Sequence, residues 1–129
     1  MMGILSRAQW ISGPDYDYGP DDALYYEDRR NHVLSRIFSL DTCASAVLHI
    51  AVLGYANVRV NGCALGNVEL LGDWTNYAKL VTYRSFDVTG LVHRGENEIT
   101  IELGNGWYNP APLTLFGKYN LRERLAEVG

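Results

Sequence analysis

Apolar residues in this chain recur with a period of two over most of its length, which is the spacing of β-strands. Residues 46–53 are apolar on both alternating sets, so they predict a central strand covered on both faces. Residues 81–88 and 98–103 alternate apolar and polar positions and predict half-buried strands. In the second of these, one face carries Ile99, Ile101 and Leu103, and the other carries Glu98, Thr100 and Glu102.

Turn residues supply the connections between such strands. Asn61-Gly62 separates residues 58–60 from 63–65, and this dipeptide favours a type I′ turn, so a β-hairpin is predicted. Residues 33–40 and 9–11 are further strand candidates. These segments bring the predicted total to at least six strands.

Helical signals are few and short. Residues 87–92 could form one turn, and residues 120–127 could form a short helix capped by Asn120. Neither segment is large enough to build a core. Short strands joined by Gly, Asn and Asp turns therefore predict an all-β fold, an antiparallel β-sandwich or jelly roll.

Composition limits the size of the fold and its partners. A chain of 129 residues with 47% apolar content fits a single domain spanning residues 1–129. The net charge of -4 and the lack of a long apolar stretch argue against nucleic acid or a membrane as a partner. The N-terminal residues lack the features of a secretory signal, so the localisation is left open. Cys43 and Cys63 are interpreted as buried, inert thiols.

Residues 14–28 stand apart as an acidic, tyrosine-rich loop with six acidic residues, four tyrosines and no basic residue. Two interpretations of the acids are open: Asp15, Asp17 and Asp21 could bind calcium, or the loop is simply solvated, which we favour because a later bidentate glutamate is lacking. The tyrosines could likewise stack on sugars or pack within the domain, and we favour packing.

A series of motifs narrows the fold further. Val60-Asn61-Gly62, Phe86-Asp87-Val88-Thr89 and Gly95-Glu96-Asn97 resemble the galactose-binding-type jelly rolls that begin β-galactosidases and β-glucuronidases. Trp74-Thr75-Asn76-Tyr77, followed by Leu103-Gly104-Asn105-Gly106-Trp107-Tyr108, is more particular. With these motifs the chain, from about residue 8 to about residue 125, resembles the N-terminal β-sandwich domain of bacterial α-L-rhamnosidases, glycoside hydrolase family 78.

The resemblance implies an accessory role without catalysis. Enzymes of this family use an inverting pair of carboxylates, which the resemblance puts on a separate downstream (α/α)6 barrel, the expected partner of this chain. The nearest acidic pairs here, Glu27 with Asp28 and Glu96 with Glu98, are interpreted as solvated carboxylates. We therefore assign no catalytic residue and expect the chain alone to be inactive.

Other chemistry finds little support in the sequence. No nucleotide-binding or hydrolase motif is present, and neither a cofactor nor a metal site is predicted. His49 is interpreted as a hydrogen-bonded core residue, and His32 and His93 as loop residues.

Exposed aromatic loops are the candidates for carbohydrate contact. The predicted binding residues are Trp74, Asn76, Trp107, Tyr108 and Asn109, although Trp107 and Tyr108 could instead pack at the core or at a domain interface. Two alternatives to the accessory role stay open: a free-standing carbohydrate-binding module and a structural or adhesion sandwich. The resemblance also raises the alternative that a C-terminal strand is lacking, in which case the open edge would favour self-association.

Overall fold

A computed structural model of the chain describes residues 3–13, 31–66 and 72–104, together with the backbone of two short strands beyond them. Within this part the regular elements are all strands, and every pairing is antiparallel. The strands are β1 (His32–Leu40), β2 (Val47–Ile50), β3 (Ala56–Val60), β4 (Cys63–Ala64), β5 (Arg84–Asp87), β6 (Gly95–Leu103), β7 (Thr114–Leu115) and β8 (Tyr119–Asn120).

The strands form one larger sheet and two strand pairs. The larger sheet has the order β1-β6-β3-β4, while β2 pairs with β5 and β7 pairs with β8. The interior strands are therefore β6 and β3, and the prediction of a central strand at 46–53 is wrong. In the described part of the chain β2 pairs with β5 alone, and Val47 is exposed. The apolar run continues past β2 because residues 51–55 cross to the larger sheet and bury Val52 on the way.

The core lies between the β2-β5 pair and the larger sheet. The buried side chains are Val52, Ala56, Val58, Val60, Leu65 and Val88. Leu48, Ile50 and Phe86 from the pair and Ile99, Ile101 and Leu103 from β6 pack against them. The predicted β-sandwich and the predicted inward face of residues 98–103 are both confirmed.

The hairpin forms where the sequence predicts it. Asn61 has φ of 48° and Gly62 has φ of 80°, as a type I′ turn requires, and Val60 pairs with Cys63 across it. The prediction of buried thiols is wrong for Cys63, which is exposed because β4 lies at the edge of the sheet; Cys43 is half-buried.

Some predicted boundaries shift. Residues 9–11 form no strand, and Trp10 and Ile11 are exposed. β5 begins at Arg84 rather than at residue 81, because Thr82 is instead the hydrogen-bond acceptor for the backbone N–H of Asp73 in the preceding loop. The predicted single turn at 87–92 is confirmed by the Leu91 N–H donating to the Val88 carbonyl.

Two predictions near the C-terminus meet little described structure. Asn120 ends β8 instead of capping a helix, and the rest of the predicted helix lies outside the described residues. The strand that the resemblance suggested could be lacking also falls outside them, as does the acidic loop at 14–28.

A buried amide network closes one end of the sandwich, which we call the asparagine end and define by Asn61, Gly95 and Asn97. Asn97 is 2% exposed. Its Oδ1 accepts from Asn61 Nδ2 at 2.8 Å and from the His93 N–H at 3.0 Å. Its Nδ2 donates to the carbonyls of His93 and Gly95 at 2.7 and 3.0 Å. Every polar atom of this buried side chain is thus hydrogen-bonded, as burial demands.

Candidate functional site

The opposite end of the sandwich, which we call the tryptophan end, is defined by Gly54, Tyr55 and the loop 72–83. The Gly72 N–H donates to the Gly54 carbonyl at 3.3 Å, and the Gly104 N–H donates to the next carbonyl, that of Tyr55, at 3.0 Å. The start of the Trp74 loop and the end of β6 therefore meet on the same two residues.

Hydrogen bonds within the loop hold its shape. The Thr75 hydroxyl donates to the Leu80 carbonyl at 2.5 Å, and the Asn76 carbonyl accepts from the N–H groups of Lys79 and Leu80 at 2.8 and 2.9 Å. An ion pair at 3.7 Å joins Asp73 to Arg84 at the start of β5. The loop is thus tied at its base and across its tip.

Trp74 projects from this structured loop with 72% of its surface exposed. Asn76 is also exposed, but its side-chain oxygen accepts the Ala78 N–H at 3.2 Å, which gives it a role in the local turn. A large exposed indole on an ordered loop can stack on a flat apolar ligand surface such as a sugar face. Its amide nitrogen is the part of the Asn76 side chain that can donate to a ligand.

Three of the five sequence-predicted binding residues cannot be located in this way. Trp107, Tyr108 and Asn109 lie outside the described residues, so their roles stay predictions. The last described residue before them is Gly104, which lies at the tryptophan end.

Sequence reasoning missed a second cluster, on the outer face of the β2-β5 pair. His49 Nδ1 lies 2.7 Å from the Ser85 hydroxyl, and the ring of Tyr83 meets the His49 ring edge to face at 6.0 Å. His49 is hydrogen-bonded as predicted, but it is half-buried on an outer face and not in the core. The signal was available in the period of two, since residues 83 and 85 share one face of a strand.

The other histidines and acids have structural surroundings. His32 is the first residue of β1, so its assignment to a loop is wrong, whereas His93 lies in a loop as predicted. Glu96 and Glu98 are exposed on β6. A hydrogen bond from Thr89 lowers the pKa of Asp87, which is the reverse of the shift that a general acid needs.

Two general searches concern only the described ranges. They contain no group of three or more His, Cys, Asp or Glu side chains suited to a metal ion. They also contain no helix that is long and apolar enough to cross a membrane.

Comparison with known proteins identifies the fold family. Residues 41–124, which include the hairpin, the Trp74 loop and β6, match the family described as the alpha-L-rhamnosidase N-terminal domain. The chain belongs to this family. The resemblance drawn from the sequence motifs is thereby confirmed, and with it the position of this domain within glycoside hydrolases of the α-L-rhamnosidase type.

Curated relatives of this rhamnosidase N-terminal domain are much longer proteins. An α-L-rhamnosidase of Streptomyces avermitilis is 35% identical over 81 residues, which cover 63% of this chain and 8% of the relative. One from Formosa agariphila is 29% identical over 113 residues, covering 84% of this chain and 12% of the relative. The chain therefore spans about a tenth of the length of these relatives.

Solved structures show the same relationship in three dimensions. The Streptomyces avermitilis α-L-rhamnosidase complexed with L-rhamnose superposes with a TM-score of 0.55 at 34% identity, covering 61% of this chain and 8% of that one. The native α-L-rhamnosidase of Aspergillus terreus gives 0.53 at 34% identity, covering 64% and 10%. These structural neighbours support the sandwich fold of the rhamnosidase N-terminal domain. Because one comes from a fungus, the likeness leaves bacterial origin a prediction.

Proposed function

We propose that this chain is a non-catalytic accessory domain that braces the (α/α)6 catalytic barrel of an α-L-rhamnosidase and presents its tryptophan end to carbohydrate. Family membership supports the accessory role, because the matched relatives are α-L-rhamnosidases about ten times longer than the matching region. The observation that carries the carbohydrate part is the exposed Trp74 on a loop held by hydrogen bonds.

The bracing role needs an exposed surface that suits another domain. Val33 and Ile37 lie on one face of β1 and are 61% and 62% exposed. Their partners in the register are Glu102 and Glu98 on β6. This mixture of apolar and acidic side chains resembles interfaces between domains, which are more polar than a core. We assign the barrel to this outer face, since the long remainder of the relatives must contact the domain somewhere.

A preformed loop is well suited to weak sugar binding. Ordering a flexible loop on binding would reduce affinity, and the bonds of Thr75, Asn76 and Asp73 remove most of that cost in advance. The indole of Trp74 then offers an apolar face, and the Asn76 amide offers a donor beside it.

Calorimetric titration of the purified chain with L-rhamnose and with a rhamnose-containing oligosaccharide tests the carbohydrate part. We expect weak binding that is lost in Trp74→Ala and kept in Lys79→Ala, a matched exposed position of the same loop. Binding that survives Trp74→Ala would contradict the assignment to Trp74. An absence of binding in the unmodified chain would contradict carbohydrate contact by this domain alone.

A free-standing carbohydrate-binding module is the alternative, and Trp74 favours it equally. The reading frame beyond codon 129 separates the two proposals. Continuation into a helical-repeat barrel supports the accessory domain, and a stop codon supports the free-standing module.

A further inference from the structure

The Asn61-Gly62 turn carries a reactive pair of groups that the proposed function does not use. Glycine has no side chain to hinder its backbone nitrogen, so in an Asn-Gly dipeptide this nitrogen can attack the preceding side-chain amide. A bond then forms between Gly62 N and Asn61 Cγ, ammonia leaves, and a cyclic succinimide results. Water opens the succinimide to aspartate or isoaspartate, so the net change is amide plus water to carboxylic acid plus ammonia.

The folded chain engages every polar atom of the Asn61 amide. Its Nδ2 donates to the Leu91 carbonyl and to Asn97 Oδ1, both at 2.8 Å. Its Oδ1 accepts the Glu98 N–H at 2.9 Å. The backbone of Asn61 is held as well, by its N–H donating to the Glu98 carbonyl at 2.9 Å.

Attack by Gly62 N requires the Asn61 amide to turn toward its own backbone. That rotation breaks the three side-chain hydrogen bonds together, and it leaves the buried Asn97 Oδ1 without one of its two donors. Because these contacts come from the 91–98 segment, they exist only when the asparagine end is assembled.

We infer that Asn61 is a deamidation site closed by folding: it reacts with its glycine neighbour in the unfolded chain and is protected in the folded one. The reaction also blocks return to the native state. An aspartate at position 61 has no Nδ2 donor, and it turns a carboxylate oxygen toward the Leu91 carbonyl and Asn97 Oδ1. An isoaspartate lengthens the backbone inside a two-residue turn and disturbs the pairing of Val60 with Cys63.

The test compares the chain in buffer with the chain in concentrated guanidinium chloride at one mildly alkaline pH, with deamidation at each site followed by peptide mapping. Asn105-Gly106 is the same dipeptide and provides an internal reference for the chemistry in denaturant. We expect Asn61 and Asn105 to react at similar rates in denaturant, and Asn61 to react at least about tenfold more slowly in buffer, since local opening limits the rate.

Variants connect the protection to the network. Asn97→Ala should speed deamidation of Asn61 in buffer and leave its rate in denaturant unchanged, whereas Asn57→Ala, an exposed position on β3, should alter neither rate. If Asn97→Ala fails to fold, Asn61→Asp gives a second measurement: its melting temperature should fall below that of the unmodified chain. Equal rates for Asn61 in buffer and in denaturant, or an unchanged melting temperature for Asn61→Asp, would overturn the inference.

Discussion

Gly72 lies against the carbonyl oxygen of Val52, so close that a β-carbon on Gly72 would stand 1.9 Å from that oxygen. The contact lies at the base of the Trp74 loop, where the Gly72 N–H also donates to the Gly54 carbonyl. Because the obstructing atom belongs to the backbone, it cannot rotate away. Glycine at position 72 is therefore what lets the loop seat on the sandwich.

Gly72→Ala should destabilise the domain by about 1–3 kcal/mol, the usual cost of forcing an extra methyl group into a packed site. The measurement is the free energy of unfolding in urea. Gly90→Ala is the matched control, because a β-carbon there meets nothing within 4 Å, and it should change the stability by less than about 0.5 kcal/mol. Equal stabilities for the two variants would contradict the close packing at Val52.

Asn97→Ala should destabilise the domain by about 3 kcal/mol, because it leaves several buried partners without a hydrogen bond. Asn57→Ala on the exposed face of β3 should stay within about 0.5 kcal/mol of the unmodified chain. Urea unfolding of both variants checks the difference. A mild effect for Asn97→Ala would mean that the network adds little to the closure of the asparagine end.

Acid stability should depend in part on Asp87. Hydrogen bonds from Thr89, with its N–H 3.0 Å from Asp87 Oδ1, lower the pKa of this carboxyl in the folded state. A carboxyl with a lowered folded pKa stabilises the fold fully above its unfolded pKa, about 3.9, and loses that contribution as the pH falls further. Unfolding measured from pH 6 downward should therefore show a shallower acid decline in Asp87→Asn. Parallel declines in the two proteins would contradict this coupling.

The outer face of β1 should matter only when the catalytic barrel is present. In the isolated chain, Ile37→Asp should be tolerated because the side chain is 62% exposed. In a polypeptide that carries the barrel, the same change should lower the temperature at which rhamnosidase activity is lost. Ser39→Asp, on the same face of β1 near its end, is the matched control with a smaller expected effect. Equal effects of the two changes would argue against Ile37 as a barrel contact.

The sequence predicts the local features of this fold better than its sheet order. Asn61-Gly62 specifies its turn because the positive φ angles depend on those two residues alone. The alternation at Ile99, Ile101 and Leu103 likewise identifies the inward face of β6. By contrast, the apolar run at 46–53 was misassigned as a central strand, since a strand and a buried crossing between sheets share the same composition.

The candidate site divides in the same way. Trp74 could be singled out because a tryptophan among Gly, Asp, Thr and Asn is typical of a loop. The pairing of His49 with Ser85 and Tyr83 could not, since it depends on the β2-β5 register across a gap of 36 residues. Long-range register is set by the assembled core and has no local signal.

Release of p-nitrophenol from p-nitrophenyl α-L-rhamnoside by the purified chain tests the central claim most directly, with the Streptomyces avermitilis α-L-rhamnosidase as the positive control. The accessory role predicts no turnover above that of buffer, because the pair of carboxylates that inverting hydrolysis needs is assigned to a separate barrel. Turnover that follows the concentration of the chain and survives repeated purification would contradict that role.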